Sequence, residues 1–144
     1  MNNYKTMKNR HQQDVNAFPM FFAFNNDQFD EGMKRLGLNP TDTDKIYRLG
    51  SIGGFYKRDD SGKLHEMFDR HEREMQEAIK NDTTGDGFIF DMFNYELGNH
   101  EYIYTGDISD TLDALGLTVD EVNASKTLQH GLKRAIKAQQ NNNY

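Results

Sequence analysis

Gly87-Phe88-Ile89-Phe90-Asp91-Met92-Phe93-Asn94-Tyr95-Glu96-Leu97-Gly98 is the stretch that decides the fold. At 3.6 residues per turn, Phe88, Ile89, Phe90, Met92, Phe93, Tyr95 and Leu97 point in nearly every direction around a helix. A helix that is apolar nearly all round belongs in a protein's interior. Residues 88–97 are therefore expected to form a central buried helix, with the rest of the chain covering it.

The covering elements can be read outward from there. Upstream, residues 63–80 place Leu64, Met67, Phe68, His71, Met75, Ala78 and Ile79 on one stripe. Glu66–Arg70, Asp69–Arg73 and Gln76–Lys80 fall at i,i+4 spacing on the other side, so this segment predicts an amphipathic helix. Downstream, Ser109 opens a short helix carrying Leu112 and Leu115, stopped by Gly116-Leu117, and residues 119–123 add a turn. Residues 126–138 form a last amphipathic helix with Leu128, Leu132, Ala135 and Ile136 inward. Nearer the N-terminus, Phe18–Phe24 reads as a buried strand with Pro19 at its start. Asn26 caps a helix over 27–36, which Gly37 stops in a left-handed conformation while Leu38 folds back. Lys45–Leu49 and Phe55–Lys57 read as strands of a loose hairpin, Asp59–Gly62 as a turn, 81–87 as a loop and Glu101–Tyr104 as extended. The expectation is one α+β domain over residues 1–144, mostly helical with a small antiparallel sheet, its ends frayed at 1–17 and 139–144.

Composition narrows the function. The chain has 144 residues, a length suited to one core. Only 35% are hydrophobic, but ten Phe, seven Tyr and seven Met supply large buried areas. The absence of Cys excludes disulfides, a thiol nucleophile and Cys-ligated metal. No apolar run approaches the roughly 18 residues of a membrane span. The polar start (Asn2, Asn3, Lys5, Lys8) does not read as a signal peptide, so a cytoplasmic protein without a membrane partner is expected.

The net charge of −6 is distributed unevenly. Residues 59–121 hold seventeen Asp/Glu against four Lys/Arg, and residues 82–121 hold ten carboxylates and no Lys or Arg. Such a stretch faces water, holds a cation or fits a basic partner. Asp86, Asp91, Glu96, Glu101, Asp107, Asp110, Asp113, Asp120 and Glu121 recur every few residues, and a row of this kind can imitate phosphate spacing and enter a Lys/Arg groove. The competing reading is an acidic solubilising surface. The basic ends (Lys5, Lys8, Arg10 and His11; Lys126, Lys133, Arg134 and Lys137) lack the density of a nucleic-acid site in a chain of pI near 5.3. They read as intramolecular balance for the acidic middle, with no direct nucleic-acid contact.

Other motifs are partial. His65-Glu66 lacks the second His at i+4 of a zinc-protease helix, and a solvated surface is the better reading of His65 and Asp69. Asp82-Thr83-Thr84-Gly85-Asp86-Gly87 imitates the start of a calcium loop, making Asp82 and Asp86 metal candidates. The bidentate Glu required at loop position 12 is Phe93, so the motif reads as a Gly-rich turn with Asp86 as helix cap and no cofactor. Gly50-Ser51-Ile52-Gly53-Gly54 lacks the Lys-Ser/Thr of a phosphate loop. Asn99-His100-Glu101-Tyr102 is a dense polar cluster in which His beside Glu could do acid–base work, but no nucleophile or metal triad accompanies it, so no catalytic residue is assigned.

Gly85–Tyr102, Tyr104-Thr105-Gly106-Asp107, Asp110–Leu117, and Phe22-Ala23-Phe24 with Gln28-Phe29 and Glu31-Gly32 resemble the signature of a small uncharacterised acidic protein family of phages and mobile elements in gut and Gram-positive bacteria. The likeness covers most of residues 18–134. Leu36–Tyr47 is more weakly similar to ArdA-type antirestriction proteins. The resemblance implies an accessory protein acting in the cytoplasm of a bacterial host, as anti-CRISPR and antirestriction inhibitors do. The resulting expectation is a non-enzymatic inhibitor that binds a basic host protein, such as a defence nuclease, through the 82–121 carboxylates. A small metal- or His-dependent enzyme using Asn99–Tyr102 and a homo-oligomeric structural phage component are the alternatives.

Overall fold

The computed structural model describes residues 1–50 and 53–142. Among them lie eight α-helices and three strands. In chain order they are α1 (Asn3–Ala17), β1 (Met20–Phe22), α2 (Asn26–Arg35), β2 (Ile46–Leu49), β3 (Gly54–Lys57), α3 (Ser61–Asn81), α4 (Phe88–Asn99), α5 (Tyr102–Thr105), α6 (Ser109–Leu115), α7 (Val119–Asn123) and α8 (Lys126–Asn141). The fold is α+β, mostly helical with one small antiparallel sheet. The chain packs as two units, residues 12–72 and residues 1–11 with 73–144, divided within α1 and α3.

The 12–72 unit is built on the sheet, whose order is β1-β3-β2. Phe21 pairs with Phe55 and Met20 with Tyr56, while Tyr47 and Arg48 face Tyr56 and Phe55 from the other side of β3. Side chains alternate across a strand, so the two faces carry different cores. One core joins Phe21 and Ile46 to Met33 and Leu36 of α2, with Phe29 and Phe55 packed against it. The Phe21 ring lies so close to Gly32 that a Cβ there would overlap it, which is why α2 tolerates a glycine in its interior. The other core joins Tyr56 to Leu64 and Met67 of α3, with Val15, Phe18 and Met20 around it. The cap of α2 is Asn25 rather than the expected Asn26; its side chain accepts from the Gln28 amide.

The larger unit is centred on α4, as its apolar circumference predicts. Ile89, Met92, Phe93 and Leu97 are fully buried among Leu112, Leu115, Leu117, Val122, Leu128, Leu132 and Ala135. The tightest approach is to α8. Gly131 sits against Ile89 and the Gly85 carbonyl, and Gly85 (φ 85°) against the Thr127 carbonyl, so neither position has room for a side chain.

Leu36-Gly37-Leu38 and Leu115-Gly116-Leu117 are twin helix stops. In each, glycine is left-handed (φ 76° and 67°) and the following Leu amide reaches back to the carbonyl of Met33 or Leu112 at 2.9 Å. Thr118 and Glu121 form a reciprocal capping box on α7, and Ser125 caps α8.

Four local expectations are corrected. Residues 3–17, whose helical period in the sequence is weak and whose end is expected to fray, form a continuous helix held at one end by the buried Tyr4. Asp59–Gly62 is not simply a turn, because α3 already begins at Ser61. Glu101–Tyr104 is not extended: Glu101 takes a left-handed conformation (φ 55°) and Tyr102–Thr105 make a helical turn. Residues 139–141 continue α8, with Gln139 Nε2 donating to Asn94 Oδ1 at 2.8 Å. Residues 143 and 144 of the expected frayed end lie outside the described residues.

Candidate functional site

The carboxylates of 82–121 separate into three environments. Glu96 is no part of a surface: its side chain is 0% exposed, which corrects the expectation. Asparagine, tyrosine and lysine surround it. Tyr4 Oη donates to Oε2 at 2.6 Å, Lys8 Nζ lies 3.0 Å from the same oxygen, and Asn99 Nδ2 donates to Oε1 at 3.3 Å. Lys8 and Tyr4 sit four residues apart, hence on one face of α1. Burial and the adjacent carboxylate push the Tyr4 hydroxyl well above the ordinary tyrosine range, so it stays a donor. A charge this deeply buried persists only when paired and hydrogen-bonded. The cluster therefore fixes the N-terminal turns of α1 onto α4. Sequence reasoning missed it, although a carboxylate between Tyr95 and Leu97 in a mostly apolar run was a usable signal.

The second group is engaged within the chain. Asp82 is the capping residue expected of Asp86. Its two oxygens accept from the amides of Thr84, Gly85, Gly87 and Ile89 at 2.9–3.2 Å and from the Thr84 hydroxyl. Burial pushes its carboxyl up, but these donors outweigh it and hold the group below the ordinary range. Asp86 meets Arg134 and His130, each at 2.7 Å, and Arg134 stacks 5.0 Å from the Phe90 ring. Asp91 accepts from the Asn3 amide at 3.1 Å. Asp82 and Asp86 thus spend their oxygens on the protein, and no group of three His, Asp or Glu among the described residues is arranged to hold a metal.

The third group faces solvent. Glu101, Asp107, Asp110, Asp113, Asp120 and Glu121 are all exposed, on the turns before α5 and α6 and on α6 and α7 themselves. Asp107 accepts from the Ser109 hydroxyl at 2.7 Å and its amide at 2.8 Å, which holds its carboxyl below the ordinary range and caps α6. Glu121 belongs to the α7 capping box. Glu101, Asp110, Asp113 and Asp120 make no ion pair among the described residues. Asp110 and Asp113, three apart on α6, share one face.

The side chains of Asn99–Tyr102 do not converge on one site. Asn99 turns to Glu96, His100 Nδ1 lies 2.8 Å from the Glu96 carbonyl as a helix end, Glu101 faces water and Tyr102 packs against the core. Elsewhere, His65 Nδ1 lies 2.7 Å from the Ser61 carbonyl, and His71 is nearly buried 2.8 Å from Asp14. Ser51 and Ile52 of the glycine-rich 50–54 segment lie outside the described residues.

The basic ends are only partly intramolecular balance. Lys8 pairs with Glu96, Arg10 and His11 with Glu74, and Arg134 with Asp86. Lys126, Lys133 and Lys137 pair with nothing among the described residues. No helix there is long and apolar enough to cross a membrane.

No curated protein and no solved structure matches the chain. One family model does, over residues 3–138, a span that includes α1, the Glu96 cluster and the α5–α7 carboxylates. The chain belongs to this family of unknown function, DUF7659.

Proposed function

We propose that the chain is a binding protein that engages a basic protein partner through the exposed carboxylates of α5–α7. One observation carries the reading. Glu101, Asp110, Asp113 and Asp120 are exposed and make no ion pair among the described residues, in a segment without Lys or Arg. Unpaired like charges repel and lower stability, a cost that a cationic partner reverses. The binding set is smaller than the sequence row, because Glu96, Asp86 and Asp91 are used inside the protein. The partner class that the mobile-element resemblance implies is a host defence nuclease, inhibited by occupation of its nucleic-acid groove as in anti-CRISPR and antirestriction proteins.

The test uses two baits in lysate of a bacterial host after nucleic-acid digestion: the native protein and an Asp110→Lys/Asp113→Lys/Asp120→Lys variant. Asp107 is spared because it caps α6. A basic protein retained by the native bait at low salt and lost by the variant is the expected result. Equal retention by both baits removes this surface from the account.

A further inference from the structure

Lys126, His130, Lys133 and Lys137 follow one another at i, i+4, i+7 and i+11 along α8. At about 100° per residue they fall within a narrow sector of the helix. Leu128, Gly131, Leu132 and Ala135, the buried residues of α8, lie on the opposite side. All four members of the ridge are exposed. It runs about 16 Å at 1.5 Å per residue, with cations spaced about 6 to 10 Å apart. Residues 122–144 contain no Asp or Glu, and Asp86, the acid that pairs with α8 among the described residues, is already shared by His130 and Arg134. Three lysines thus stand in a row without an internal partner among the described residues.

We infer that the outer face of α8 binds the phosphate backbone of duplex DNA without reading its sequence. Charge complementarity selects a polyanion, and magnitude selects which one. Surface ion pairs between these lysines and scattered protein carboxylates contribute about 0.2–1 kcal/mol each, without the counterion release that a dense polyanion adds. Duplex DNA carries a negative charge every ~1.7 Å and releases condensed counterions on contact, which gives a few lysines measurable affinity. The sector holds no Phe, Tyr or Trp on which an unpaired base could stack, the feature that single-strand sites require, and its one imidazole, His130, is engaged by Asp86. It also holds no free Arg, the usual bidentate reader of guanine, since Arg134 is committed to Asp86 and Phe90. Asp86, the carboxylate that touches the ridge at His130, is paired with Arg134, and charges more than about 10 Å away are screened at 0.1 M salt. The ridge is independent of the α5–α7 carboxylates and of their proposed partner.

The experiment is fluorescence anisotropy of a labelled duplex of about 20 base pairs titrated with the full chain from about 20 to 200 mM NaCl. The native protein is expected to bind weakly, with log affinity falling against log salt at a slope of about −3 for three neutralised phosphates. Lys126→Gln/Lys133→Gln/Lys137→Gln should lose binding at least about tenfold and flatten the slope toward zero. A Lys5→Gln/Lys63→Gln/Lys80→Gln control makes the same change in net charge elsewhere and should bind like the native protein. Melting curves establish that both variants fold. Absence of binding at the lowest salt, or equal loss in control and ridge variants, overturns the inference. So does preference for a single-stranded oligonucleotide. Self-association in sedimentation that the ridge substitutions abolish, without a DNA signal, would instead make the ridge a contact between copies and would equally overturn it.

Discussion

Replacing Tyr4 by Phe tests the least expected feature of the protein, the anchoring of α1 on a buried carboxylate. The substitution removes one oxygen. Ring contacts to Phe88 (5.9 Å) and Tyr95 (5.7 Å) remain, so little packing is lost. What disappears is a 2.6 Å hydrogen bond to a carboxylate that is 0% exposed. Bonds to charged groups contribute about 1.5–3 kcal/mol, and the buried Oε2 is left with Lys8 alone, so a loss of about 2 kcal/mol is expected in urea unfolding. Amides of the first turns of α1 should exchange roughly thirtyfold faster where opening of that helix limits exchange. A pH arm adds a signature that a packing defect would lack. Because the Tyr4 proton is held more tightly in the folded state, its stabilisation is complete below the ordinary tyrosine value of 10.0 and declines as pH rises above it. The decline approaches about 1.4 kcal/mol per pH unit for one proton, and Tyr4→Phe should remove that contribution. A change under about 0.5 kcal/mol, the range of ordinary surface substitutions, with the alkaline slope intact would refute the anchoring argument.

Three further outcomes follow from the same geometry. Asp14, Glu74 and Asp86 each lie between one His and one Arg, and all three carboxyls are lowered, Glu74 to about 2 by His11 and then Arg10. Their stabilisation is present above the ordinary carboxylate range and is lost as pH falls through it toward 2; circular dichroism on acid titration should show Glu74→Gln less acid-sensitive than the native protein. Gly131→Ala drives a methyl into Ile89 and to 2.8 Å from the Gly85 carbonyl. It should cost about 2–3 kcal/mol in chemical denaturation, whereas an unchanged midpoint would mean α4 and α8 are not so closely packed. Asp82→Ala strips four amides of their acceptor and should destabilise by about 2 kcal/mol, with faster exchange at Gly87 and Ile89; calcium should not raise the native melting temperature through this loop.

The elements that sequence made legible are those whose local chemistry and burial agree. Residues 88–97 are apolar nearly all round and become the buried α4. The repeated Leu-Gly-Leu becomes two identical helix stops because glycine alone reaches the left-handed conformation cheaply there. Failures occur where distant partners override local signals. Tyr102-Ile103-Tyr104-Thr105 has strand composition, but the turn set by Glu101 makes it helical. The polar residues 3–17 carry too few apolar side chains to predict docking, since their anchors are Tyr4 and Lys8 on a carboxylate about 90 positions away. Glu96 falls in phase with the acidic row, and only tertiary structure distinguishes a buried ion pair from a surface charge. Asp82 takes the capping role expected of Asp86, because its carboxylate accepts from the Gly87 and Ile89 amides, while Asp86 turns to His130 and Arg134.

The account's central claim, an acidic face built for a basic partner, is tested most directly by salt. The measurement is the dissociation constant between the chain and the protein that it captures, from about 50 to about 300 mM NaCl, for the native protein and for Asp110→Lys/Asp113→Lys/Asp120→Lys. The account predicts affinity that falls steeply with salt and is lost in the variant at every concentration. Salt-independent binding, or a variant that binds as the native protein does, would contradict it.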